Sequence, residues 1–313
     1  MKKVALALAS GGPRGFAYIG AIEELLSRGY EITSVAGASA GSLVGGVFAA
    51  GGLEAFKNWL YGLDPAKVVS LMDFSIGRNY VVKGDKVINA IKEIVPNVNI
   101  EDLSIPYAAV ATDLYTGEEV VFREGPLFDA IRASISIPSM FRPVKWKGRT
   151  LVDGGMVNTL PLSLVERKPD DILVAFNVNQ IDAAQIQGFL DTREAIRNEL
   201  SEKVKAGGKL YVKERIESQW SERKLESEGK DKWIPVDAEN SYISVLQRGF
   251  GIMNCTIARM AIEQYKPNIL VDLPYDSYHG VYGYSHAEEI AEKGRALMAA
   301  ALDEYESKQI IPL

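Results

Sequence analysis

Short apolar runs alternate with helical patterns along the first half of the chain. Val4–Ala9 is an apolar run of strand length, followed by a glycine-rich turn and by the helical spacing of Ala17–Arg28, which stops at Gly29. Ile32–Ala36 is the next apolar run, and Ser42–Ala50 reads as a second helix ended by Gly51 and Gly52. Buried strands separated by helices predict an α/β fold, a mainly parallel central sheet with helices on both faces. Further strands are predicted at Tyr107–Thr112, Glu119–Phe122, Thr150–Val152, Ile172–Asn177 and Asn268–Asp272, and a last helix from Ala287 to Glu306. The turn Tyr115-Thr116-Gly117-Glu118 makes the strands around it a hairpin.

The pattern changes between Ile181 and Asp237. Arg193–Glu217 and Ser221–Lys232 carry both signs of charge, often three or four residues apart, as on solvated helix faces held by local pairs. The expected organisation is one domain over residues 1–313 with a charged helical insertion at about 181–237. Within it, Leu200/Val204 and Ile216/Trp220 have the spacing that anchors a surface helix or docks a lid. Trp59–Ile76 is apolar enough to be an amphipathic helix on the core or a wall for an acyl chain.

Composition narrows the function classes. The 313 residues are 47% hydrophobic, enough for a large core. Lys+Arg minus Asp+Glu is 35 − 41 = −6, which argues against nucleic-acid binding and against attraction to anionic lipid by charge. Peripheral membrane contact would therefore be apolar and local. Cys255 is the single cysteine, which excludes an internal disulfide and suits a reducing, cytoplasmic setting. Two histidines, His279 and His286, and that cysteine are too few for a zinc site built from His and Cys. Lys2-Lys3 and six apolar residues imitate a signal peptide, but a secretory apolar region runs about 7–15 residues. A strand feeding a glycine loop explains the same letters. No run reaches the ~20 apolar residues of a membrane-spanning helix.

Candidate chemistry starts at Gly37-Ala38-Ser39-Ala40-Gly41, a G-x-S-x-G between a predicted strand and a predicted helix. An abrupt strand-to-helix turn exposes its middle side chain and needs tiny neighbours. The Ser10-Gly11-Gly12-Pro13-Arg14-Gly15 loop matches neither a dinucleotide fingerprint nor a P-loop. It is either a tight turn or an oxyanion cradle in which Gly11 and Gly12 donate N–H groups and Arg14 braces the loop or neutralises charge. A serine hydroxyl also needs a base. Asp153, ending an apolar strand before Gly154 and Gly155, is one candidate; a turn-capping role is its alternative. His279 or His286, in a Ser-Asp-His arrangement, is the rival.

The glycine loop, the G-x-S-x-G and the Asp153-Gly154-Gly155 run, in this order, resemble the patatin-like phospholipase family, especially its bacterial members. Val35–Gly45, Val110–Gly117, Ala130–Pro138 and Leu151–Pro161 are similar to family segments, and the likeness covers about residues 4–180. The resemblance implies a three-layer α/β/α fold and a lipid acyl hydrolase with a Ser39–Asp153 dyad. It further implies an acyl-enzyme on Ser39, an oxyanion hole from Gly11 and Gly12, a supporting Arg14, and no metal or cofactor. The substrate class would be a lipid or small ester. Ser10 departs from the family's usual glycine at that place. A non-catalytic lipid- or partner-binding module of the same fold is the alternative from another class.

Overall fold

A computed structural model of the chain describes residues 2–73, 82–138, 140–181, 242–275, 277–278 and 283–310. Eight strands form one sheet: β1 (Lys2–Leu8), β2 (Tyr30–Ala38), β3 (Tyr107–Asp113), β4 (Glu119–Phe122), β5 (Val144–Trp146), β6 (Arg149–Asp153), β7 (Ile172–Gln180) and β8 (Ile269–Pro274). The run β3-β2-β1-β7-β8 is parallel throughout, whereas β4 and β6 pair with β3, and β5 with β6, antiparallel. The predicted mainly parallel α/β sheet is therefore present. All seven residues of β3 are buried, which in a pleated strand means that both faces are covered.

The helices are α1 (Ala17–Ser27), α2 (Ala40–Ala49), α3 (Leu53–Tyr61), α4 (Pro65–Leu71), α5 (Asp85–Lys92), α6 (Leu127–Ser134), α7 (Tyr242–Tyr265) and α8 (Ala287–Ile310). Helices α1 and α8 cross in backbone contact. A Cβ on Gly20 would lie 1.9 Å from the Ala291 carbonyl oxygen, and one on Gly294 1.9 Å from that of Ala17. Two glycines replace what would be a gap-forming layer of side chains. Within Trp59–Ile76, Leu60 and Val68 are buried and Trp59 stacks on the buried Phe56 just before the segment, whereas Val69 is exposed, so the segment packs on the core with one face. Phe74 and Ile76 lie outside the described residues.

Several boundaries differ from the sequence expectation. β1 begins at Lys2 because pairing with Tyr30 and Glu31 of β2 holds its two exposed lysines extended. α2 begins at Ala40, directly after Ser39, two residues earlier than the apolar pattern indicates. β5, α5, α6 and α7 have no counterpart among the predicted elements. The β5–β6 hairpin turns on Lys147 and Gly148, both at positive φ, as a two-residue hairpin loop requires.

Met1–Ile181 with Met253–Leu313 forms one compact unit, and Asp182–Ile252 another. Apart from Ile181, the predicted insertion lies outside the described residues, and with it Leu200/Val204 and Ile216/Trp220.

The register around β3 has one consequence that positions a site. Val110 of β3 pairs with Ala38 of β2 and Val121 of β4, whereas Ala111 pairs with Val120 of β4 and Asp153 of β6. A strand has two edges, and β4 takes one of them at both positions. β2 and β6 therefore share the other edge, end to end. β2 runs parallel to β3 and β6 antiparallel, so their carboxyl ends meet between Val110 and Ala111.

Candidate active site

Ser39 and Asp153 stand at that junction. Ser39 is the single residue between β2 and α2, at φ 51° and ψ −121°, a conformation that non-glycine residues adopt only under strain. The turn closes because Gly37 and Gly41, two residues to either side, have no side chains. A Cβ on Gly37 would lie 2.3 Å from the Gly41 backbone, and one on Gly41 2.2 Å from the Leu8 carbonyl oxygen. The turn is tied down by its own polar groups: Ser39 N–H donates to Ser134 Oγ at 2.9 Å, and Ser42 Oγ donates to the Ser39 carbonyl at 2.6 Å.

Asp153 is fully buried, and its Oδ1 accepts the Gly155 N–H at 2.8 Å. Burial pushes its pKa up to about 7, opposed by the nearby Ser39 hydroxyl, the Gly155 N–H and the Ser10 hydroxyl. Oδ2 accepts no hydrogen bond among the described residues. Gly154 is required for the turn, since a Cβ there would lie 2.2 Å from the Val110 carbonyl oxygen. A carboxyl balanced near neutrality can take up or release a proton at physiological pH, and this one stands beside a serine in a strained turn.

The glycine loop abuts both. A Cβ on Gly15 would lie 2.4 Å from that of Ala40, and a Cβ on Gly155 2.5 Å from Ser10 Oγ. Gly12, at φ 57°, needs the freedom of glycine. Among the described residues, the N–H groups of Gly11 and Gly12 donate to no backbone or side-chain acceptor. Arg14 turns away from the serine and braces the loop. Its Nε donates to the Val178 carbonyl at 3.0 Å and Nη1 to that of Tyr275 at 2.9 Å, with the guanidinium over the Tyr275 ring. Burial lowers the Arg14 pKa.

Of the sequence candidates, Ser39, Gly37, Gly41, Asp153, Gly154 and the glycine loop come together. His286 immediately precedes α8, with Nδ1 3.2 Å from Ser285 Oγ. His279 lies outside the described residues. Three contributors were not singled out in the sequence: Ser134, which holds the Ser39 N–H; Tyr284, whose hydroxyl would be 3.7 Å from a Cβ on Gly12; and Asn179, which binds the Ser10 carbonyl. The Tyr284 pKa is raised to about 12, first by burial and also by the charge of Asp153, so the phenol stays protonated. Ser134 lies within a segment already recognised as family-like, and Asn177 and Asn179 interrupt an otherwise apolar strand, a signal that could have found them.

Residues 6–165 match the family model described as patatin-like phospholipase. An uncharacterized NTE family protein of Mycobacterium tuberculosis is 33% identical over 337 residues, spanning 97% of this chain and 92% of its own. A patatin-like phospholipase domain-containing protein of Caenorhabditis elegans is 30% identical over 196 residues, which are 60% of this chain and 14% of its own. Among solved structures, VipD from Legionella pneumophila aligns over 96% of this chain and 67% of its own, at 14% identity and a TM-score of 0.43.

Proposed function

Because the chain belongs to the patatin-like phospholipase family, whose members hydrolyse lipid esters, we propose that it is a serine acyl hydrolase working through a Ser39–Asp153 dyad. The observation that carries this reading is the end-to-end meeting of β2 and β6 on one edge of β3, which sets a strained serine beside a carboxyl of near-neutral pKa.

In this reading Asp153, ionised, takes the proton of the Ser39 hydroxyl as Oγ attacks the acyl carbonyl. The Gly11 and Gly12 N–H groups, which have no acceptor among the described residues, receive the developing oxyanion. Collapse of the tetrahedral intermediate returns the proton from Asp153 to the departing alcohol and leaves the acyl group on Ser39. Water, giving its proton to Asp153, then releases the acid and restores the serine. A base with a pKa of about 7 suits both halves, since it must accept and return the same proton. The mildly acidic chain favours an apolar over an electrostatic approach to lipid, and among the described residues no helix is long and apolar enough to cross a membrane.

The test is hydrolysis of p-nitrophenyl esters of graded chain length together with fluorophosphonate labelling, wild type beside Ser39→Ala and Asp153→Asn. Turnover in the wild type, lost by at least about a thousandfold in each variant, is expected. Full turnover by a folded Ser39→Ala protein would refute the dyad. Turnover lost on His286→Ala instead would move the base to the histidine.

A further inference from the structure

The backbone before Gly11 is held group by group. Ala9 N–H donates to the Phe176 carbonyl at 3.1 Å, and the Ala9 carbonyl accepts the Tyr18 hydroxyl at 2.7 Å. Ser10 N–H donates to the Thr159 carbonyl at 2.8 Å, and the Ser10 carbonyl accepts Asn179 Nδ2 at 2.6 Å. After that the pattern stops: the next two N–H groups, of Gly11 and Gly12, have no acceptor among the described residues.

The last bond sets a direction. Asn179 stands near the carboxyl end of β7, and β7 flanks β1 on the side opposite β2. A carbonyl drawn toward Asn179 points away from Ser39. The Ser10–Gly11 peptide bond is trans, as are all the others, so the Gly11 N–H points opposite to that carbonyl, toward the β2 side. Glycine at position 11 offers little resistance to rotation of this peptide plane. A flipped plane would turn a carbonyl oxygen toward the site, where it would repel an oxyanion.

Asn179 is itself fixed for the task. It is 2% exposed, its own N–H donates to Asn177 Oδ1 at 3.0 Å, and Asn177 Nδ2 in turn donates to Asp272 Oδ1 at 2.8 Å. Its amide must present NH2 and not oxygen, because the group it faces is a carbonyl. Its Oδ1 has no partner among the described residues, so a buried polar atom is tolerated to keep the donor in place.

We infer that Asn179 is a positioning residue of the reaction: its amide pins the Ser10–Gly11 peptide so that the Gly11 N–H faces the oxyanion. The inference rests on the reading of Ser39 and the glycine loop given above.

The experiment compares wild type with Asn179→Ala and Asn179→Val, the second filling space with a residue suited to a strand. Active sites are first counted by exhaustive fluorophosphonate labelling. Then kcat and KM for a p-nitrophenyl ester and the inhibition constant of a trifluoromethyl ketone, which forms a tetrahedral oxyanion on a serine, are measured per labelled site. Removing one oxyanion donor costs roughly a hundred- to a thousandfold in kcat. An unpinned peptide retains the donor part of the time, so kcat should fall roughly ten- to a hundredfold with KM little changed. The ketone should lose affinity by the same factor. Normal kcat per labelled site with fewer labelled sites would reveal a structural role and overturn the inference. Equal loss on substrate KM without loss on the ketone would overturn it as well. In the wild type, an inert Ser39 toward both fluorophosphonate and ketone would mean that the dyad reading itself had failed, a result separate from either. If Asn179→Ala does not fold, Asn179→Val decides. If neither does, the Gly11 amide proton of ¹⁵N-glycine-labelled wild type decides: it should move downfield on ketone binding, and no movement overturns the inference.

Discussion

Asp153→Asn removes a charge that the fold holds against solvation. A carboxyl that titrates near 7 in the folded chain and near 3.8 in the unfolded one binds its proton more tightly when folded. The sign follows from that: its contribution to stability is fully present below the unfolded value and lost as pH rises through the folded one. The full loss corresponds to roughly 4 kcal/mol, of which about 3 kcal/mol falls between about pH 4.5 and about pH 8.5. Asparagine has the same shape, can keep the Gly155 N–H on its carbonyl oxygen, and does not titrate. The quantity to measure is the stability difference between variant and wild type by urea unfolding at both pH values, followed by circular dichroism. Any fixed hydrogen-bonding cost of the amide cancels in the comparison, leaving the titration of Asp153. The variant should gain on the wild type by about 3 kcal/mol from the lower pH to the higher, and at the higher pH it should be inactive. A difference independent of pH would mean that burial does not raise the Asp153 pKa, and the choice of Asp153 as a near-neutral base would lose its physical ground.

Other outcomes follow from the same geometry. In wild type, kcat/KM for an ester should rise with pH along a one-proton limb centred near 7 and then level, because ionised Asp153 is the acceptor; a flat profile from about pH 5 would exclude it. Ser39→Gly should abolish turnover and yet stabilise the fold by about 1 kcal/mol or more, since glycine is unstrained at φ 51°; a lower melting temperature would contradict the strain. Gly41→Ala should destabilise by more than about 2 kcal/mol, because the added methyl meets the Leu8 carbonyl and not a movable side chain; unchanged thermal stability would contradict that contact. Ser134→Ala leaves the buried Ser39 N–H without its acceptor and should cost about 1–3 kcal/mol of stability together with a fall in kcat, both measurable on purified protein.

The local chemistry was legible where one segment contains its own reason. Gly37 and Gly41 flank Ser39 within five residues, and the strand-to-helix change that makes them necessary is visible in the apolar pattern on either side. The order of apolar runs and helices likewise predicts a mainly parallel sheet, because strands buried on both faces need no polar alternation. The early start of α2 was hidden: Ala40 and Gly41 carry no periodic signal, and the helix starts where the turn leaves it.

Sequence alone determined which residues could do the chemistry: a serine in a turn that only tiny neighbours allow, an aspartate before two glycines, and a glycine loop without a phosphate-binding pattern. It left Asp153 and the two histidines as rival bases, because 114 residues (153 − 39) separate Ser39 from Asp153 and separation along the chain says nothing of distance. Tertiary structure decided which groups stand beside Ser39. Two strands of opposite direction share one edge of β3, and only pairing with a third strand can bring their ends together. The Asn179 contact with the Ser10 carbonyl is of the same kind, a bond across 169 residues that exists only because β7 lies beside β1.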